Sequence, residues 1–319
     1  MISHDSPLPA PGSRTKQPDM AVRIGSLEMQ NPVTVASGTF GYGPEYADLV
    51  DLDRLGAVTV KGISTEPHVG NSMPRTFETF AGMLNAIGLP GPGAQKFIKK
   101  YLPFFEDYRV PLIVNIWGKT VEDYSRVAEI FNDQSRINAL EVNVSCPNVK
   151  EGGALYGTDV SLFRTVVDTV RAKTQKPLII KLAPNVADIK LFARAAEECG
   201  ADAVSIMNSY PAMAINIETR KPQLANRTGG LSGPAIKPIA VKLVWEAAKA
   251  VKIPIIGMGG ITSPEDALEF IIAGASAVAV GTANFTDPST AVRVIEGMEK
   301  WMAAKGIGSV AELKGTVQA

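Results

Sequence analysis

Residues Pro254–Val280, PIIGMGGITSPEDALEFIIAGASAVAV, contain an apolar run, a glycine pair, a helix with its own cap and a second apolar run. The two runs, Pro254–Met258 and Ala277–Val280, are short, carry β-branched residues and are apolar at successive rather than alternate positions. That is the pattern of a parallel strand buried on both faces. Between them Ser263 stands at a helix N-cap, Pro264 and Glu265 occupy the first turn, and Gly274 closes the segment. A strand, a helix and a second strand in this order make one β/α unit of a parallel sheet.

The same unit recurs along the chain. Further strands are expected at Val33–Ala36, Ala57–Lys61, Leu112–Ile116, Leu140–Val144, Leu178–Leu182 and Ala203–Met207. Amphipathic stretches such as TVEDYSRVAEIF (120–131), DVSLFRTVVDTVRAK (159–173) and VADIKLFARAAEECG (186–200) separate them. Eight strand–helix units in 319 residues imply an α/β fold, a (β/α)₈ TIM barrel. An open doubly wound sheet usually shows a Gly-rich dinucleotide turn after its first strand, and SGTFGYG (37–43) lacks the G-x-G-x-x-G spacing. Two connections, Gly62–Pro92 and Asn208–Pro234, are long. In a barrel both follow a strand on the face where active sites form, so lids or strand-paired flaps over a pocket are expected.

Composition narrows the function classes. Lys+Arg and Asp+Glu both number 32, a balance that gives no sign of nucleic-acid or polybasic membrane binding. The two cysteines, Cys146 and Cys199, are too few for a disulfide framework or for an iron–sulfur cluster built from this chain alone. Neither His4 nor His68 falls in a motif, which disfavours a His-based triad or a zinc site, and no metal is expected. Residues 1–20 are rich in Pro, Ser and charge and read as a flexible tail rather than a signal peptide, leaving 21–319 as one barrel domain. With no membrane-spanning run expected, the reading is a cytoplasmic protein.

The strand ends carry the chemistry. The last positions of the eight runs are Ser37, Lys61, Asn115, Asn143, Lys181, Asn208, Gly259 and Gly281. Each polar group buried there unpaired would cost about 1–3 kcal/mol, so their convergence on one face implies a ligand. IIGMGGIT and AVAVGTAN follow the seventh and eighth strands, where barrels often bind phosphate. Gly259, Gly260 and Gly281 allow close backbone approach there, and Thr282 adds a hydroxyl. Lys61 and Lys181 could act as Schiff-base nucleophiles, as charge clamps, or simply reach to water. Together they make the pocket positive and its ligand anionic. Cys199, in a helix amid EECG, reads as an inert core thiol. Cys146, just past a strand in EVNVSCPNVKEGG (141–153), has no partner His, so a thiol that accepts or donates a proton fits better than an activated nucleophile.

NVSCPNVKEGG, NAIGLPGPG (85–93) and GLSGPAIKP (230–238), with ASGTFGYG and GMGGI in support, resemble the class 1 dihydroorotate dehydrogenases. These are flavin enzymes of pyrimidine synthesis. The cysteine loop distinguishes class 1 from the membrane-associated class 2, which has serine there, and the KEGG continuation looks more like class 1B than class 1A. The resemblance implies an FMN across the barrel mouth. Its phosphate would lie at Gly233, Gly259, Gly260, Gly281 and Thr282, and the rest of it at Ser37, Lys61, Gly62, Asn115, Asn143, Lys181 and the backbone of Met207. Substrate would meet Lys61, Asn85, Ala86, Ile87, Gly88, Leu89, Asn143, Asn208 and Ser209. Cys146 would take a proton from C5 of dihydroorotate while hydride leaves C6.

The class also implies a homodimer core, a heterotetramer with a separate subunit carrying FAD and a 2Fe–2S cluster, and NAD as final acceptor. Three rival readings are a fumarate-dependent class 1A enzyme, a dihydropyrimidine dehydrogenase subunit acting on uracil or thymine, and a Schiff-base lyase or isomerase barrel.

Overall fold

The computed structural model describes residues 17–144 and 156–318. Each apolar run forms a strand: β1 (Val33–Val35), β2 (Val58–Ile63), β3 (Leu112–Ile116), β4 (Ala139–Asn143), β5 (Leu178–Lys181), β6 (Ala203–Ile206), β7 (Ile255–Met258) and β8 (Ala277–Val280). They hydrogen-bond in the order β1-β8-β7-β6-β5-β4-β3-β2, every neighbouring pair parallel. Bonds from Gly56 N–H to the Val33 carbonyl and from Thr34 Oγ1 to the Ala57 carbonyl, both 2.8 Å, bridge β1 to β2. The sheet thus curls into the expected (β/α)₈ barrel.

Helices follow the strands: α1 (Ala94–Lys100), α2 (Val121–Asn132), α3 (Val160–Arg171), α4 (Ile189–Glu198), α5 (Lys237–Ala248), α6 (Pro264–Ala273) and α7 (Thr290–Lys305). Ser263 caps α6 as the sequence suggests, and Asp266 completes the capping box. Thr120 with Asp123 does the same for α2. One expected helix shrinks. Between β1 and β2 the chain makes only the four-residue helix Pro44–Ala47 and short 3₁₀ turns. Gly41 and Gly43 there adopt φ of +63° and +109°, conformations that break a helix before it can extend.

The strands bury two distinct cores. Outward residues such as Val114, Val142, Ile180 and Val204 pack with Phe131, Phe163, Phe192 and Phe270 beneath the helices. Each fully buried phenylalanine contributes about 1.5–3 kcal/mol. Inward residues Ala57, Ile113, Ala139, Ile179, Ala203 and Ala277 form a separate cluster with Ile24, Leu27 and Met29. Those last three come from the hairpin Val22–Ile24 with Leu27–Met29, which plugs the N-terminal end of the barrel. Two residues further along, the same inward rows turn polar with Thr59, Asn115, Glu141, Lys181 and Ser205, all buried. The barrel therefore has an apolar base and a polar floor under its open end.

Both long connections become strands that pair with each other. Tyr210–Ala212, Gly229–Ser232, Gly82–Asn85 and Thr76–Thr79 make one four-stranded antiparallel sheet in that order, standing over the C-terminal mouth. The two flaps meet closely at Gly82, where φ is +154° and an added Cβ would lie 2.0 Å from the Ser232 carbonyl oxygen. We expect Gly82→Ala to destabilise the chain by about 1–3 kcal/mol, since backbone must move to admit the methyl. Urea unfolding measures it, and a change under about 0.5 kcal/mol would show that the flaps are not clamped here.

Asp19 pairs with the Gly308–Val310 segment, and Met20 is buried, so the described chain is anchored from that point. Residues 1–16 of the expected tail lie outside the described residues. Among the described residues no helix is long and apolar enough to cross a membrane.

Candidate active site

A cavity of about 340 Å³ opens at the C-terminal mouth, between the strand ends and the paired flaps. Its wall takes in most of the residues singled out by sequence: Lys61, Asn143, Lys181, Met207, Asn208, Ser209, Gly233, Gly259, Gly260, Gly281 and Thr282. Asn85, Ile87, Gly88 and Leu89 enter from the first flap. Barrel tips and flap thus converge, as a ligand enclosed between them requires.

Four expected residues are placed behind the wall. Ser37 and Asn115 are buried. Asn115 is drawn downward, its Nδ2 donating to Glu141 Oε1 at 2.6 Å. Gly62 faces Asn115, whose Oδ1 would be 2.8 Å from an added Cβ. Ala86 turns into a small flap core with Leu84 and Leu224. Cys146 lies outside the described residues, as do Ser145 and residues 147–155.

The strand-end asparagines are held by their surroundings. Asn208 Nδ2 donates to Asn143 Oδ1 at 3.3 Å, and the Asn143 carbonyl accepts from the Tyr124 hydroxyl at 2.8 Å. A buried phenol therefore fixes the end of β4, the point from which the cysteine loop departs. On the flap, Gly88 and Leu89 adopt φ of +77° and +53°, which turns the NAIGL backbone toward the cavity. Asn71 supports that turn by donating to the carbonyls of Ala86 and Ile87, both at 3.0 Å.

The electrostatics favour an anion. Lys61, Arg75 and Lys181 line the cavity, and no carboxylate does among the described residues. Burial, reinforced by the charge of Arg75, holds the Lys61 ammonium below the usual lysine range, with Glu45 opposing. Among the described residues, Arg75 Nη1 reaches backbone oxygens, at 3.4 Å to Asn71 and 3.5 Å to Val69. Lys237, beside Gly260, is taken by Asp266 and Glu269 at 2.8 and 2.6 Å, so its charge is spent away from the cavity.

Glycines build the end of the cavity next to β7 and β8. Gly259 and Gly260, with φ of +126° and +78°, end β7, and Thr282 after β8 donates to Ser232 Oγ at 2.8 Å. Among the described residues, a Cβ at Gly38 would meet nothing within 4 Å, and one at Gly281 would meet Ala36 at 3.5 Å, so side chains there would project into the space a ligand needs. A glycine-lined, cationic slot with amide and hydroxyl groups along one side fits a flat anionic group with a phosphate tail, as in FMN.

Sequence reading missed several wall residues, among them Arg75, Thr76 and Met83 on the first flap, Ser232 on the second, and Phe285. None is at the tip of a barrel strand: the first four come in with the paired flaps, and Phe285 with the short helix Ala283–Thr286 after β8. It also missed Glu141 and Ser205, whose single polar side chains are set inside apolar strands. Cys199 meets expectation: it is buried at the end of α4, and burial followed by the neighbouring Asp168 pushes its thiol up to about 11.

Comparison with known proteins agrees with this geometry. The family model for dihydroorotate dehydrogenase matches residues 19–302. A protein of Trichlorobacter lovleyi named dihydroorotate dehydrogenase B (NAD(+)), catalytic subunit, is 52% identical over 302 residues, covering 95% of this chain and 99% of its own. Its namesake in Pelobacter propionicus is 51% identical over 302 residues, with the same coverage. That of Desulforamulus reducens is 52% identical over 297 residues, covering 93% of this chain and 98% of its own. Barrel, paired flaps, cationic cavity and near full-length similarity agree: the chain belongs to the dihydroorotate dehydrogenase family.

Proposed function

We propose that this chain oxidises dihydroorotate to orotate in pyrimidine nucleotide synthesis, as the FMN-bearing subunit of an NAD-linked enzyme. The observation that supports it most is the cavity itself, cationic, free of carboxylates among its described residues, and lined by glycines where the seventh and eighth strands end. FMN, when bound, supplies the hydride acceptor. Gly233, Gly259, Gly260, Gly281 and Thr282 would hold its phosphate, and Lys181 would place positive charge where negative charge accumulates.

Asn85, Asn143, Asn208 and Ser209 would grip the pyrimidine edge, because an amide both donates and accepts. Lys61 would face the carboxylate. Cys146 would take the C5 proton, a general base held in reach by the loop that leaves β4 at Asn143. The flaps, paired across the mouth, would keep water from the reacting atoms.

The chain would work in the cytoplasm as a homodimer core, joined by a second subunit that carries FAD and a 2Fe–2S cluster and passes electrons to NAD. The test is purification with and without that subunit, followed by parallel assays with NAD and fumarate. We expect dihydroorotate-dependent NAD reduction by the complex and none by the chain alone. Rapid fumarate reduction by the chain alone would overturn the NAD-linked reading.

Lys61 makes the binding of orotate pH-dependent. Its ammonium, destabilised by burial and by Arg75, deprotonates below the usual lysine range, and only the protonated form attracts an anion. Affinity is therefore full below that lowered pKa and is lost as pH rises through it, by about tenfold per unit once above it. Orotate titrations across the alkaline range read this directly. Lys61→Met should bind weakly and without that slope, and an unchanged slope would exclude Lys61 as the carboxylate's partner.

A further inference from the structure

Glu141 projects from β4 into the barrel and is 3% exposed. Its Oε1 accepts from Asn115 Nδ2 at 2.6 Å and its Oε2 from Ser205 Oγ at 2.8 Å. Lys181 Nζ lies 3.7 Å from Oε1. One carboxylate thus joins side chains of β3, β5 and β6 directly below the cavity that Lys181 lines. Both oxygens accept hydrogen bonds, the arrangement of an ionised group.

Stability does not explain this choice. A buried ion pair is commonly no better than well-packed apolar residues, because desolvation offsets the attraction. The neighbouring inward position on β7, Ile256 opposite Ser205, is filled by such a residue. A pair retained beneath the cavity floor therefore points to the site above it.

We propose that Glu141 is a positioning residue for the reaction: it fixes the Lys181 ammonium at the cavity floor and offsets part of its charge, and so sets how strongly the site prefers reduced, negatively charged FMN over oxidised FMN. The proposal rests on the FMN reading given above. Lys181 alone would over-stabilise the reduced form and slow the onward passage of electrons. The buried carboxylate tempers it.

The test compares dissociation constants of oxidised and anaerobically reduced FMN for the apoprotein, its Glu141→Gln and Lys181→Gln variants, and the double variant. Glutamine keeps the size of Glu141 and an acceptor for Asn115 while removing the charge. We expect Glu141→Gln to raise the ratio of oxidised to reduced dissociation constants by about tenfold, the effect of one uncompensated charge at this range. For a two-electron couple that equals a rise of about 30 mV.

In the Lys181→Gln background the same change should alter the ratio less than about twofold, because the residue acts through Lys181. An unchanged ratio in the single variant, or a full tenfold change without Lys181, would overturn the proposal. If Glu141→Gln fails to fold while the double variant folds, Glu141 serves to neutralise the buried Lys181 charge for folding, and the proposal falls. If the double variant also fails, Glu141 is a folding residue and the proposal falls. A wild-type chain that binds no FMN would remove the FMN reading itself, an outcome distinct from these.

Discussion

Replacing Cys146 with alanine is expected to lower turnover with dihydroorotate by about 10²–10⁴-fold at neutral pH, the usual worth of a positioned general base. The purified variant should keep its FMN and its colour, because the residues assigned to the cofactor lie on other strands and loops. An unperturbed thiol near pKa 8.5 has a workable thiolate fraction just above neutrality, whereas a methyl group can take no proton. The end of β4 remains in place through the 2.8 Å bond from the Tyr124 hydroxyl to the Asn143 carbonyl, so the loop still departs from the same point. Steady-state kinetics beside an absorption spectrum measure both halves of the prediction. Cys199→Ala is the control and should leave turnover unchanged, since that thiol is buried at the end of a helix and its pKa is about 11. Near-normal turnover in Cys146→Ala would remove the base assignment.

The second large effect belongs to Lys181. Lys181→Met is expected to destabilise the apoprotein by about 3–5 kcal/mol, because it leaves Glu141 as an uncompensated buried charge. In chain that still folds, we expect kcat to fall about 10²–10³-fold, the range for deleting one preorganised electrostatic contact. Both partners are nearly inaccessible, with side-chain exposures of 7% and 4%, so solvent does not screen the pair. Urea unfolding of apoprotein reads the first number and kinetics on folded, FMN-loaded protein the second. A variant as stable as wild type would show that the Glu141 charge is satisfied by Asn115 and Ser205 alone.

The sequence made the barrel readable because parallel strands buried on both faces leave short, uniformly apolar runs, and the strand tips stand out as the first polar residues. Leu112–Ile116 and Ala277–Val280 match the observed strands residue for residue, and the other boundaries move by one or two. The first helix did not form where glycines in SGTFGYG take left-handed conformations, a local effect that strand counting passes over.

The polar floor was hidden for a different reason. When both faces of a strand are apolar, its two-residue alternation vanishes, and a lone Glu141 in LEVN gives no sign of pointing inward toward Ser205 and Lys181. Arg75 was hidden because it reaches the cavity only after two flaps far apart in sequence pair as one sheet, and Phe285 because it lies in the short helix Ala283–Thr286 beyond the last strand tip. Long loops announced those flaps, but no local pattern announces their partners. Cys146, proposed as the base, is singled out by its NVSCPN setting alone, and it lies outside the described residues, which end before it at Val144.

Anaerobic titration of the purified chain with dihydroorotate, with dihydrouracil in parallel, tests the central assignment most directly. A thiol base and a flavin acting together on an anionic dihydropyrimidine predict that dihydroorotate bleaches the flavin and yields orotate in equal amount, while dihydrouracil leaves the colour intact. A chain that purifies without flavin and takes none up, or whose flavin is bleached by dihydrouracil and not by dihydroorotate, would contradict it.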